Sequence, residues 1–374
     1  MSKFSSVWVL IVIFMISWTN GIGYYSLKRL GEFNVNREFI TMSGVSSGGT
    51  FAQQMFVAHS TLISGISVFS HTFYRCGPGN GILRDYDAAC TTAGRRHFWS
   101  KTYSPKKAIK DIRTYFKKGL IDDPHYMGGK HLYVFAGTKN HLFTVDQSLK
   151  ILEVFKPFIA DSSVIKTRIA KANLTLPNKG KELPACSAPP DKFGVSNCGF
   201  SGALESLQFM LGHDAVRSSK GHPKLQPLIQ FDQTEFFENV GRHDMDTVGY
   251  LYVPKVCKHN EIPCLLHFYF HGCSTGREFV GPGHVVRSGF LEVAEANGII
   301  VVFPQAISSR ENNIGCWDTF GVTGPLYATQ QGGQVAVVKK MLDRILTKRF
   351  PKPILLNEGK TWVGKVLTSF PFIK

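Results

Sequence analysis

Six consecutive residues, Gly44-Val45-Ser46-Ser47-Gly48-Gly49, constrain this chain more than any other feature. They read G-x-S-x-G with one further glycine, the pattern of a nucleophile elbow. The segment before them, Glu38 to Ser43, reads as a buried strand, and Thr50 to His59 reads as an amphipathic helix. Strand, sharp turn, helix is the context in which a serine hydroxyl stands exposed at a strand end. Glycines flank such a serine because a Cβ would clash in so tight a turn. A Gly/Ser turn opening an ordinary helix would carry some of the same residues, so the rest of the chain has to decide.

The chain has 374 residues, and 43% apolar content with 29 Phe supplies the material for a large core. Lys3, the apolar run Val7 to Ile16 and the small-residue exit Asn20 to Gly23 predict a signal peptide over residues 1–22. The run is too short for a comfortable membrane span, and no later segment looks transmembrane. Eight cysteines behind a signal peptide predict disulfides. Sequence alone leaves their pairing open; neighbours suggest Cys76–Cys90, Cys186–Cys198, Cys257–Cys264 and Cys273–Cys316. Zinc is the competing use of cysteine, but no C-x-x-C pair is present. No metal or other cofactor is implied. Asn173-Leu174-Thr175 is a glycosylation sequon.

Net charge is +16, with lysines clustered in Pro105 to Lys118 and Lys339 to Lys352. Both stretches carry helical apolar spacing, for example Ile109, Ile112 and Phe116, so the charges read as solvated faces of surface helices. A weak attraction for anionic surfaces follows, whereas nucleic-acid binding has no supporting motif.

Strand-like runs at 38–43, 65–70, 131–136, 163–170, 228–236, 248–254, 265–270 and 299–304 alternate with helical stretches at 50–59, 105–118, 147–160, 201–212, 285–296 and 331–349. This alternation predicts an α/β fold with a mostly parallel central sheet flanked by helices. No linker divides 23–350, which is expected to form one domain; residues 351–374 form a tail of undetermined order. The order of motifs is unusual. In an α/β-hydrolase the oxyanion-loop strand precedes the nucleophile, but here Leu265 to Cys273, a buried strand ending in His-Gly-Cys, lies over 200 residues after Ser46. A circular permutation accounts for this, because a sheet is indifferent to where its connections are cut when the termini lie close.

The chain resembles the secreted polyhydroxybutyrate depolymerases with a permuted α/β-hydrolase fold. The resemblance rests on G-V-S-S-G-G at 44–49, Tyr74-Arg-Cys76, Phe135-Ala-Gly-Thr-Lys139, Asn197-Cys-Gly-Phe200, Phe231-Asp-Gln233, His271-Gly-Cys273 and Gly315-Cys-Trp-Asp318. These motifs run in order over roughly residues 30 to 350, and the last twenty residues match nothing. The resemblance implies that Ser46 is the nucleophile and that the amides of Ser47 and Cys273 form the oxyanion hole. It also implies that Trp317 lines a polyester-gripping cleft, and that Cys273–Cys316 joins the oxyanion loop to the Trp317 segment. His271 reads as structural.

A serine hydroxyl needs a base, and the base needs an orienting acid. The family's acid follows a G-T-K-like tripeptide; here Gly137-Thr-Lys139 is followed by Asn140. The base belongs in the loop after the next strand, where Asn173 aligns, and no histidine occurs between His141 and His213. An amide holds no titratable proton and cannot act as a general base. His71, after the strand 65–70, is the alternative base. The expected function is therefore that of a secreted, extracellular polyester-hydrolase relative that binds an ester, polyester or hydrophobic ligand with impaired catalysis. An active carboxylic-ester hydrolase using His71, or a non-enzymatic binding protein on the same fold, is the alternative. Sequence does not give the oligomeric state.

Overall fold

A computed structural model describes residues 27–92, 103–218 and 223–349. The signal-peptide reading and the C-terminal tail fall outside the described residues.

The longest strand, β1 (Val35–Val45), is buried on both faces from Ile40 to Val45, as the interior strand of a helix-covered sheet must be. It leads through Ser46 into α1 (Ser47–Ala58), every residue of which is buried. The chain continues with β2 (Gly65–Phe69), α2 (Leu83–Cys90), α3 (Pro105–Lys117), β3 (His131–Gly137), α4 (Val145–Phe155) and β4 (Ile165–Ala170). A two-stranded ribbon, β5 (Leu176–Asn178) with β6 (Val195–Asn197), precedes α5 (Gly202–Leu211). The remainder is β7 (Ile229–Asp232), β8 (Val248–Tyr252), β9 (Cys264–Phe270), α6 (Arg277–Val280), α7 (Gly283–Arg287), α8 (Phe290–Asn297), β10 (Ile299–Phe303) and α9 (Gly333–Leu346).

Eight strands form one sheet in the order β4-β3-β2-β1-β9-β10-β8-β7. The six from β4 to β10 are parallel, and β8 and β7 are antiparallel at one edge. Counted from β7 in chain order and wrapping through the termini, the spatial sequence is 1-2-4-3-5-6-7-8, the strand order of an α/β-hydrolase. The chain thus enters the sheet at the fifth position. The two ends of the permuted path still meet, since the Phe33 N–H donates to the Ile345 carbonyl at 3.3 Å and the Arg37 guanidinium donates to the Leu346 carbonyl.

Apolar side chains fill both faces of the sheet. Phe51, Ile151 and Val338, from α1, α4 and α9, belong to one core, while Leu207 and Leu291, from α5 and α8, belong to the other. The predicted helix 285–296 is two helices because Gly289 takes a φ of 80°, a left-handed conformation that no helix continues through. The predicted strand 228–236 stops at Asp232 and becomes a 3₁₀ turn at Thr234–Phe236. Disulfides join Cys76 to Cys90, Cys186 to Cys198, Cys257 to Cys264 and Cys273 to Cys316, and no free cysteine occurs among the described residues.

Register sets the site. Val45 pairs with Phe69, and Gly44 pairs with both Val68 and Phe270, so β1, β2 and β9 end level with one another. Helix α1 then approaches β9 so closely that a Cβ on Gly48 would lie 2.2 Å from the Phe270 carbonyl oxygen and 2.4 Å from that of His271. Both oxygens are backbone atoms, which cannot yield as the end of a flexible side chain can. Gly48→Ala is expected to cost about 3 kcal/mol or more of stability. Gly241→Ala, with open space around its Cβ position, should stay within about 0.5 kcal/mol of the parent. Urea unfolding of the two variants checks this.

Candidate active site at the carboxyl ends of the central strands

Ser46 sits between β1 and α1 with φ 52° and ψ −130°, outside the regions open to ordinary L-residues. The turn is held by its neighbours. Its N–H donates to the Phe69 carbonyl at 2.9 Å, and the Gly49 N–H donates to the Ser46 carbonyl at 2.8 Å. Gly44 completes the packing, because a Cβ there would fall 2.3 Å from the Gly48 backbone. Strain of this kind, typically about 1–3 kcal/mol, persists only where the surroundings enforce it. It presents the serine at the end of the parallel strands, the edge at which α/β sheets place their ligands.

The loop after β9 lies against this serine: a Cβ on Gly272 would stand 3.1 Å from Ser46 Cβ. His271 fixes the loop. Its Nδ1–H donates to the Gly272 carbonyl at 2.8 Å, and its Nε2 accepts the Ala306 N–H at 3.1 Å. These two bonds require the neutral ring protonated on Nδ1. Thr275 Oγ1 accepts the Gly272 N–H at 2.9 Å, and Cys273–Cys316 ties the next residue to the Trp317 segment. The Ser47 amide belongs to the first turn of α1, where N–H groups lack intrahelical partners. Neither it nor the Cys273 amide donates to the protein among the described residues, and both flank Ser46 in sequence or space.

Trp317 departs from its expected place on a cleft wall. The residue is 0% exposed. Its indole stacks on Phe51 at 4.2 Å and meets Phe270 edge-on at 5.1 Å, and its backbone N–H donates to Ser47 Oγ at 3.2 Å. It supports the elbow from beneath. Asp318, next to it, organises the following loop by accepting the N–H groups of Phe320, Gly321, Val322 and Thr323. Its carboxyl is nevertheless pushed up by burial.

Beyond β2, the loops after β3 and β4 run side by side. Thr138 N–H donates to Ala170 O, and Lys139 N–H to Ala172 O, each at 2.8 Å. A Cβ on Gly137 would lie 2.9 Å from the Asn173 carbonyl oxygen. Asn140 and Asn173 therefore stand on adjoining loops. Asn140 is 3% exposed; its Oδ1 accepts the N–H groups of Leu142 and Phe143, both at 3.0 Å, and its buried Nδ2 has no partner among the described residues. Asn173 is half-buried, its N–H donates to Cys186 O at 2.8 Å, and its Oδ1 accepts the Leu174 N–H at 2.8 Å. His71 is tied elsewhere. Its Nδ1 is hydrogen-bonded to Thr50 Oγ1 at 2.5 Å, its Nε2 lies 3.5 Å from the Tyr86 hydroxyl, and its ring packs on Phe143 at 4.1 Å. Among the described residues, no histidine nitrogen is hydrogen-bonded to Ser46.

Three buried histidines, His59, His267 and His284, escaped the sequence reading. His267 in β9 bridges Thr41 Oγ1 at 2.8 Å and Ser43 Oγ at 2.6 Å across to β1. His284 donates from Nδ1 to the Phe193 carbonyl at 2.6 Å and accepts the Tyr269 hydroxyl at 2.8 Å. Burial pushes His71 and His267 down to about 3, and His59, His271 and His284 down to about 4. Each folded-state value lies below the 6.5 of the unfolded chain. Above that pH both states are neutral and the contribution to stability is full. As pH falls through 6.5, the unfolded chain takes up protons that the folded one refuses, and stability is lost at up to about 1.4 kcal/mol per histidine per pH unit. Tm should fall steeply between pH 6.5 and 4.5. A flat Tm across that interval would show that these rings are not held neutral.

No protein-family profile matches the chain. Individual relatives do. Over 330 residues it is 27% identical to a poly(3-hydroxybutyrate) depolymerase of Delftia acidovorans, an alignment covering 87% of this chain and 63% of the relative, so the chain spans less than two thirds of that protein. Over 349 residues it is 26% identical to a polyhydroxybutyrate depolymerase of Talaromyces funiculosus, covering 89% and 97% of the two chains. The crystal structure of the PHB depolymerase from Penicillium funiculosum superposes with a TM-score of 0.75 at 25% identity, over 86% of this chain and 99% of that one. A serine-to-alanine PHB depolymerase complexed with an R3HB trimer gives the same TM-score and coverage at 24% identity. The permuted strand order, the elbow and these likenesses agree: over most of its length the chain is similar in sequence and fold to polyhydroxybutyrate depolymerases.

Proposed function

We propose that this protein is a secreted member of the family that binds ester or polyester chains at Ser46 but turns them over poorly. The observation that carries the reading is the split within the site. The parts that could bind a carbonyl oxygen are present: a strained serine at the strand end, an adjoining Gly272 loop, and amides of Ser47 and Cys273 without protein partners among the described residues. In this reading the parts that move a proton are replaced: the resemblance assigns the acid and base slots to Asn140 and Asn173, and neither side chain titrates. His71 does not compensate in this reading, since its Nδ1 is committed to Thr50 and its ring is held neutral by burial.

Removing triad members typically costs about 10⁴ to 10⁶ in rate, leaving the oxyanion hole and binding. The likeness to a protein complexed with an R3HB trimer makes that trimer the natural probe. It should bind both the parent protein and Ser46→Ala in calorimetry, with turnover at neutral pH at least about 10⁴-fold below that of a triad-bearing relative. A fluorophosphonate probe should label the parent no faster than Ser46→Ala. Stoichiometric labelling that disappears in Ser46→Ala would overturn the impaired reading.

Secretion is supported by the predicted signal peptide and four disulfides. No helix among the described residues is long and apolar enough to cross a membrane. Asn173, half-buried and followed by Leu174-Thr175, is the proposed glycosylation site, which would set a glycan beside the cleft. Protein from a secreting eukaryotic host should shift on a gel after treatment with an amide-cleaving glycosidase, and Asn173→Gln should not.

A further inference from the structure

We infer that Asn140 is a positioning residue of reversed polarity: it meets the base slot with a locked hydrogen-bond donor. This inference rests on the assignment of Asn140 and Asn173 to the acid and base slots. It concerns what that site would do to an imidazole, and goes beyond the absence of one.

The lock follows from two distances. One atom of the Asn140 side chain receives the backbone N–H groups of Leu142 and Phe143, each at 3.0 Å. Two N–H donors converging on one atom require that atom to be the oxygen, which settles the amide orientation chemically. A carboxamide oxygen has two lone pairs, and both are used. The only uncommitted polar atom of the side chain is then Nδ2, which carries two protons, is buried, and has no partner among the described residues. Turning the amide over would set its NH₂ against two N–H groups and strand both of them in a site that is 3% exposed.

An aspartate in the same place behaves differently. One carboxylate oxygen would take the same two N–H groups, and the second would remain as an acceptor facing the slot. An imidazole there would donate its Nδ1–H to that oxygen and leave Nε2 as the lone-pair nitrogen toward the serine, the tautomer that a general base needs. Asn140 enforces the opposite. Its Nδ2–H can only be received by an unprotonated Nδ1, which puts the imidazole proton on Nε2, where it faces Ser46 and cannot accept the serine's proton. In a serine protease, an Asp→Asn change that leaves geometry intact but selects the wrong tautomer costs about 10⁴ in kcat. Losing the base at Asn173 and losing the acid at Asn140 are therefore not independent, and a histidine alone does not restore the site.

The test compares four full-length, disulfide-intact proteins: the parent, Asn173→His, Asn140→Asp, and the double variant. The readout is the rate of fluorophosphonate labelling at pH 7.5. In that reaction the Ser46 Oγ–P bond forms, the P–F bond breaks, fluoride departs and Nε2 takes the hydroxyl proton. Both single variants should label within a few fold of the parent. The double variant should label at least about 100-fold faster, as a correctly placed general base supplies, and its rate should rise with pH through the titration of one imidazole. Equal rates for Asn173→His and the double variant would overturn the inference, and so would a double variant no faster than either single one. A second measurement needs no activity. The ¹⁵N shifts of the introduced histidine should report a proton on Nε2 in Asn173→His and on Nδ1 in the double variant; a proton on Nδ1 in the single variant would overturn the lock directly. Failure of the impaired-turnover reading is separate, because it appears as Ser46-dependent labelling of the parent.

Discussion

The approach of α1 to the end of β9 is the constraint on which the rest of the structure depends. Gly48 reaches to within a missing methyl of the Phe270 and His271 carbonyls, and Gly44 does the same beneath Gly48. Only with both side chains absent can the helix start directly at the end of β1, and only then is Ser46 forced to a φ of 52° with its side chain at the sheet's carboxyl edge. The same approach brings the Gly272 loop beside Ser46 and seats Trp317 between Phe51 and Phe270. The elbow, the Gly272 loop and the aromatic support thus share one steric origin. The permuted connectivity leaves this arrangement intact because strand order, not chain order, determines which loops meet.

The polar groups around the elbow fall into two sets. His271, His284 and His267 each have both ring nitrogens engaged by defined partners, and burial holds all three neutral. They pin loops and strands, and none can exchange protons near neutral pH. The other set consists of donors: the amides of Ser47 and Cys273 and, farther along the strand ends, Asn140 Nδ2. In the reading proposed above, a site composed of donors favours acceptor oxygens, such as those of an ester, and lacks a group to take the serine's proton, so binding survives and turnover does not.

Much of this was legible in the sequence because it depends on local pattern. Buried parallel strands are continuous apolar runs, and all eight strands of the main sheet begin and end within a few residues of such runs. The elbow was legible because its steric demand can be met only by glycine. Other features depend on distant partners and left no local trace. Helix α2 is eight residues of mixed polarity, one of them Cys90 in the disulfide to Cys76. Trp317 is indistinguishable in sequence from a cleft aromatic, and its burial depends on Phe51 and Phe270, far away along the chain. His71 carried the right chemistry for a base, but Thr50 and Tyr86 decide where its nitrogens point. The orientation of the Asn140 amide rests on two backbone N–H groups that no motif records.

The central claim is that Ser46 occupies a working binding site without a working base. The most direct measurement is a crystal structure of the unaltered protein after prolonged exposure to an R3HB trimer at neutral pH. The account predicts an intact trimer, its ester carbonyl oxygen within hydrogen-bond reach of the Ser47 and Cys273 amides and the Ser46 hydroxyl unmodified. Density for an acyl group on Ser46, or for cleaved monomer in the cleft, would contradict it.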